Sequence, residues 1–165
     1  MSIAAVRTLD TGGGDEAEWS NSERSRAAAV ADLTGRSSTI EHVGNFQPFA
    51  AGGFSAADPV LSTGATAAIA FNDLMALGLV ARSRDRGLSV LADPSVTGFD
   101  DVLFADSVSP PLTTISMPLV RLGTQSFEVL LEYLTTGVAP DSPSPHTAQL
   151  VVRGSTGVPR VPGRA

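Results

Sequence analysis

The sequence contains no cysteine and no lysine. Without cysteine there can be no disulfide, thiolate metal site or thiol nucleophile. Without lysine there can be no Walker-type phosphate loop and no Schiff-base chemistry; all 11 basic residues are arginine. The only histidines, His42 and His146, have no metal-ligand spacing around them, so neither a metal nor a cofactor is expected. Aromatic residues make up 5%, with Trp19 the single tryptophan. The net charge of −6 argues against a nucleic-acid surface, which needs a basic patch. No apolar run approaches the ~18 residues of a membrane span. The opening segment Met1 to Arg7 lacks the basic start and long apolar centre of a signal peptide. A cytoplasmic protein without membrane partners is therefore expected. What remains, 165 residues with 42% hydrophobic content, is enough for one core.

Strand-like and helix-like segments alternate along the chain. Short apolar runs at Ile3 to Val6, Ile40 to Val43, Ala67 to Phe71 and Val96 to Phe99 read as strands. Helices are predicted over Ser22 to Leu33, Ala50 to Leu61 and Asp73 to Asp85. The first and last end near Gly35 and Gly87, and Pro59 shortens or bends the second. Strand–helix alternation with short connections predicts an α/β fold, a mostly parallel sheet flanked by helices. Beyond Pro110-Pro111 the rhythm changes. Leu112 to Ile115 and Gln149 to Val152 read as short strands. Between them a helix from Pro118 to Thr136 carries Leu119, Leu122, Val129, Leu130 and Tyr133 on one stripe, widened by Phe127 and Leu134.

Two of the strands end in polar side chains: Ala68-Ile69-Ala70-Phe71 in Asn72-Asp73, and Val96-Thr97-Gly98-Phe99 in Asp100-Asp101. In open α/β sheets ligands bind beyond the carboxyl ends of strands. Asn72 offers a donor and an acceptor, as a hydroxylated ligand requires, but asparagine is equally a favoured helix cap and a helix starts beside it. Asp100 could accept two hydroxyl hydrogens or simply begin a turn. Asp73 and Asp101 read as caps or surface contacts. Phe46 is either a stacking plate for a ring or an ordinary core residue. An enzyme is not expected: the nearest approach to a nucleophile elbow, Gly52-Gly53-Phe54-Ser55-Ala56, lacks the final glycine and a preceding strand.

Ala70-Phe71-Asn72-Asp73-Leu74-Met75-Ala76-Leu77-Gly78, Arg86-Gly87-Leu88-Ser89-Val90, Ser95 to Asp101, Pro110-Pro111-Leu112-Thr113-Thr114-Ile115 and Leu150 to Thr156 together resemble the sensor portion of the lactose-repressor (LacI/GalR) family of bacterial transcription regulators. The resemblance implies a periplasmic-binding-protein-like fold of type I, of which this chain is the carboxyl-terminal lobe. Residues 1–116 and 147–157 would form that lobe. Residues 117–138 would be a crossover helix belonging to a first lobe absent from the sequence, with its apolar stripe exposed, and residues 158–165 a loose tail. It implies an effector-sensing function, the effector being a sugar or similar small molecule. It also implies homodimerisation in full-length members and DNA contact only through a headpiece that is not in this sequence. A sugar-transport binding protein shares the fold and is the alternative. The ligand contacts carried over are Asn72, Asp100 and, through the weaker match at Ser20-Asn21-Ser22-Glu23-Arg24, Arg24, with Arg26 competing for its role; Phe46, read above as a stacking plate or a core residue, completes the candidate set.

Overall fold

The computed structural model describes residues 2–8, 39–88, 94–138, 140 and 145–158. The helix expected over Ser22 to Leu33 lies outside them. The described chain runs β1 (Ser2–Thr8), β2 (Thr39–Phe46), α1 (Ala50–Ser62), β3 (Ala67–Ile69), α2 (Asp73–Asp85), β4 (Ser95–Thr97), β5 (Thr114–Ser116), α3 (Leu119–Thr136) and β6 (Gln149–Val151). β1 to β4 form a parallel sheet in the order β2-β1-β3-β4. A parallel bridge from Thr97 to Thr113 extends it towards β5, which pairs antiparallel with β6.

Strand alternation delivers one face of the sheet to the core. Ala68 and Val96 are buried while their neighbours on β3 and β4 are half-buried. Against them pack Ala56, Ala57 and Val60 of α1 and Met75, Ala76, Leu79 and Val80 of α2. The core is alanine-rich, so the layers approach closely. α1 and α2 meet through glycine: a Cβ on Gly53 would lie 1.9 Å from the Met75 carbonyl oxygen, and one on Gly78 1.9 Å from that of Ala50. Pro59 does not shorten α1, which continues to Ser62. It sits in the last turn, where little of the helix's hydrogen-bond ladder remains to be broken.

The other face of the sheet carries an apolar hollow of about 280 Å³ lined by Ile3, Ala67, Ile69 and Thr97 among others. α3 buries no residue, and Phe127, Leu130, Leu131, Tyr133 and Leu134 are all at least half exposed. Most of the stripe expected from its sequence is thus displayed to solvent, with Leu122 and Val129 half-buried. No helix among the described residues is long and apolar enough to cross a membrane.

Candidate functional site

β3 and β4 are neighbours in register, Ile69 opposite Thr97, so the residues just beyond each strand emerge side by side. The backbone N–H of Asp73 donates to the carbonyl of Phe99 at 2.9 Å. Asn72 and Asp100 flank that bond, on one rim at the carboxyl ends of two adjacent parallel strands. Phe46 closes β2 at the same end of the sheet. The hollow on the opposite sheet face includes none of them. Arg24, Arg26 and Trp19 lie outside the described residues.

Asn72 caps α2. Its backbone is extended, and its Oδ1 accepts from the Met75 N–H at 2.9 Å. Its Nδ2 donates to the Pro48 carbonyl at 3.0 Å, tying the loop before α1 to the start of α2. Phe46 is half-buried against the core cluster, with its ring over Gly44, where an added Cβ would meet it at 2.6 Å. For both residues the structural role is occupied.

Asp100 and Asp101 are the described non-glycine residues with positive φ, 107° and 53°. Left-handed or rarer backbone in such residues costs on the order of 1–3 kcal/mol each and persists only where surroundings impose it. Here they do. Gly98 N–H donates to the Thr113 carbonyl and Asp100 N–H to the Ile115 carbonyl, each at 3.0 Å. Val102 N–H donates to Asp73 Oδ2 at 2.9 Å. Asp101 Oδ1 accepts from Arg153 Nη2 at 2.7 Å. The turn projects the exposed Asp100 side chain from a fixed frame.

Asp73 corrects the expectation that it would cap or face solvent. It is fully buried. Its Oδ1 accepts from Thr114 Oγ1 at 2.5 Å, and a Cβ on Gly98 would lie 2.1 Å from that same oxygen. Burial pushes its carboxyl above the usual range, against the lowering effect of the hydrogen bonds from Thr114 and Val102. Asp101 is likewise no free surface carboxylate: the Arg153 guanidinium beside it holds it below the usual range, and both side chains are largely covered. Arg153 also reaches the Leu112 carbonyl through Nη1 at 2.9 Å. Ser155 is buried, accepting from Thr113 N–H and donating to the Val96 carbonyl, both at 2.7 Å. Neither residue was singled out from the sequence. The signal available was a Thr113-Thr114 pair and an Arg153-Gly154-Ser155-Thr156 run, polar groups in apolar surroundings. Among the described residues no group of three or more His, Asp or Glu side chains could hold a metal.

A parallel α/β lobe with polar groups fixed at its strand ends is the architecture of a small-molecule binding half-domain. The family described as periplasmic binding protein-like domain matches residues 5–156, and the chain belongs to it, as the kind of sensor portion found in LacI-type regulators. An HTH-type transcriptional regulator from Streptomyces limosus is 39% identical over 79% of this chain and 38% of its own length. A LacI family regulator from Arthrobacter sp. FB24, solved in complex with lactose, superposes with a TM-score of 0.71 at 28% identity, covering 93% of this chain and 57% of that one. A dimeric Lac repressor gives a TM-score of 0.77 at 30% identity, with 96% and 56% covered. The chain thus spans little more than a third of that Streptomyces relative and just over half of those solved chains. These relatives are transcription regulators.

Proposed function

We propose that this chain is the carboxyl-terminal lobe of an effector-sensing domain in a LacI-type transcription regulator, acting in the cytoplasm. The effector is a sugar or similar polyhydroxylated molecule, held in a cleft whose other wall is a first lobe outside this sequence. The observation that carries the reading is the Asp73–Phe99 main-chain bond, which brings Asn72 and Asp100 to one rim. Asn72 keeps a share of its capacity for a ligand: among the described residues one Nδ2 hydrogen and one Oδ1 lone pair are uncommitted. Asp100 supplies acceptors for hydroxyl hydrogens, Phe46 an apolar edge, and Arg24 a bidentate donor from the first predicted helix.

In the whole regulator, effector would favour one arrangement of the two lobes and so shift a population of states. DNA contact would belong to a headpiece outside this sequence, and dimerisation to the whole protein. α3 is assigned to the first lobe, which accounts for its uncovered stripe. The transport-protein alternative is less favoured because the relatives at hand are regulators.

A titration of the ¹⁵N-labelled chain with lactose, glucose, galactose and ribose, each alone, tests the reading. Weak binding is expected, because one wall of the cleft is missing. At least one sugar should shift the amides of residues 71–74 and 98–102 and spare those of α3. If no sugar moves the rim amides, the effector reading fails.

A further inference from the structure

The Asp100–Asp101 turn needs something to hold it. Two consecutive residues with side chains stand at positive φ, and neither is the glycine such backbone favours. Two side chains from distant parts of the sequence grip it. Arg153, in the segment after β6, binds the Asp101 carboxylate at 2.7 Å. Asp73, at the start of α2, accepts from Val102 N–H at 2.9 Å, immediately after the turn.

Both grips are anchored on the same segment, residues 112–114. Arg153 donates a second guanidinium hydrogen to the Leu112 carbonyl, and its backbone N–H to Thr113 Oγ1 at 2.9 Å. Asp73 receives the Thr114 hydroxyl on its other oxygen. The guanidinium fork therefore spans two acceptors and the carboxylate two donors, a planar geometry that a lysine or an amide cannot reproduce in full. The side chain set by this frame is that of Asp100, the residue between the two grips and the strand.

We propose that Arg153 and Asp73 are positioning residues for effector binding: they clamp the strained Asp100–Asp101 turn and thereby aim the Asp100 carboxylate. The proposal rests on the effector reading above. It goes beyond it by assigning a role in recognition to two residues that need not touch the ligand.

The test compares wild-type chain with R153Q, R153K and D101N, each ¹⁵N-labelled, by amide hydrogen exchange and by titration with the same four sugars. Unchanged amide shifts at Val96 and Leu79 identify variants that keep the core. In R153Q and D101N the Asp100 and Val102 amides should exchange faster, and sugar affinity should fall about tenfold, the loss expected for one charge-assisted hydrogen bond. R153K should recover part of both. Faster exchange with unchanged sugar affinity would reduce the clamp to a purely structural device and overturn the positioning role. Wild-type exchange rates in both R153Q and D101N would overturn the clamp itself. If wild-type chain shows no sugar-induced shift, the effector reading falls and the positioning role with it, while the exchange data still decide whether the clamp exists.

Discussion

A carboxamide has two hydrogens on nitrogen and two lone pairs on oxygen, and Asn72 commits one of each to the fold. Replacing it by alanine removes a helix cap, worth about 1 kcal/mol, and leaves the Pro48 carbonyl without its donor. Aspartate keeps the acceptor and places a negative charge where the helix dipole favours one. N72A should therefore lose about 1–2 kcal/mol in urea unfolding, and N72D clearly less; the reverse order would remove the cap argument. Sugar-induced shifts should vanish in both, since neither retains the amide donor. Asp73 makes a different test. Its pKa is raised in the fold, so the folded state binds the proton more tightly than the unfolded chain. Its contribution is fully present below the ordinary value of 3.8 and is lost as pH rises through the raised value. Asp101, with its pKa lowered by Arg153, runs the other way: its contribution is present above 3.8 and lost as pH falls through the depressed value. The stability advantage of wild type over D73N should shrink as pH rises from below 3.8 towards neutrality, while that over D101N should grow. Urea midpoints across that range check both signs, and a D73N difference that widens with pH would contradict the burial account.

The contact between α1 and α2 depends on residues without side chains. A Cβ on Gly78 would meet the Ala50 carbonyl oxygen at 1.9 Å and the Phe54 nitrogen at 2.7 Å. These are backbone atoms of a helix, so no rotamer change relieves the overlap and the helices must separate. G78A should cost about 1–3 kcal/mol, the usual range for overpacking. G123A is the control: nothing lies within 4 Å of a Cβ on Gly123 in α3, and alanine is the better helix former. Calorimetric melting of the two variants should separate them, and equal effects would undo the close-packing argument. The elements themselves were largely legible in the sequence. The helix over Asp73 to Asp85 agrees with the structure end to end, because an asparagine cap and a terminal glycine bracket it. The strand read as Ile40 to Val43 is longer, Thr39–Phe46, because parallel pairing with β1 resumes at Asn45 and Phe46 beyond a bulge at Gly44, whose positive φ interrupts the apolar pattern. The rim was legible as strand ends followed by polar residues. The burial of Asp73 was not, because it depends on Thr114, 41 positions away, folding over the start of α2. The Asp101–Arg153 pair spans 52 positions and was hidden for the same reason. Local patterns report the next few residues, whereas these contacts are set by the order in which strands join the sheet.

At the scale of the molecule, the unusual feature is the asymmetry between α1–α2 and α3. The first pair buries its inner faces on the sheet, whereas α3 buries nothing and exposes Phe127 at 64% and Leu134 at 71%. Its remaining large apolar residues extend that face. A contiguous patch of this kind marks a missing partner or an aggregation hazard, and the proposed assignment of α3 to a first lobe would make it the former. The energetic consequence is direct. If the stripe contributes nothing to the stability of this chain, polar residues placed on it should cost nothing. A double variant, Leu130→Gln with Leu134→Gln, should keep the wild-type melting temperature. It should also lose much of the fluorescence that a hydrophobic dye such as ANS gains on binding the wild-type chain, and sediment as a smaller species wherever the wild type self-associates. A marked fall in melting temperature would mean that α3 packs on the lobe after all, and the crossover assignment would then have to be abandoned. The rim should be insensitive to this change, because the turn at Asp100 is held through Ile115, Asp73 and Arg153, none of which lies on α3. Sugar-induced shifts at residues 98–102 should therefore persist in the double variant. That combination, an unchanged rim with a silenced stripe, is what separates a binding wall from the surface on which its opposite wall would be mounted.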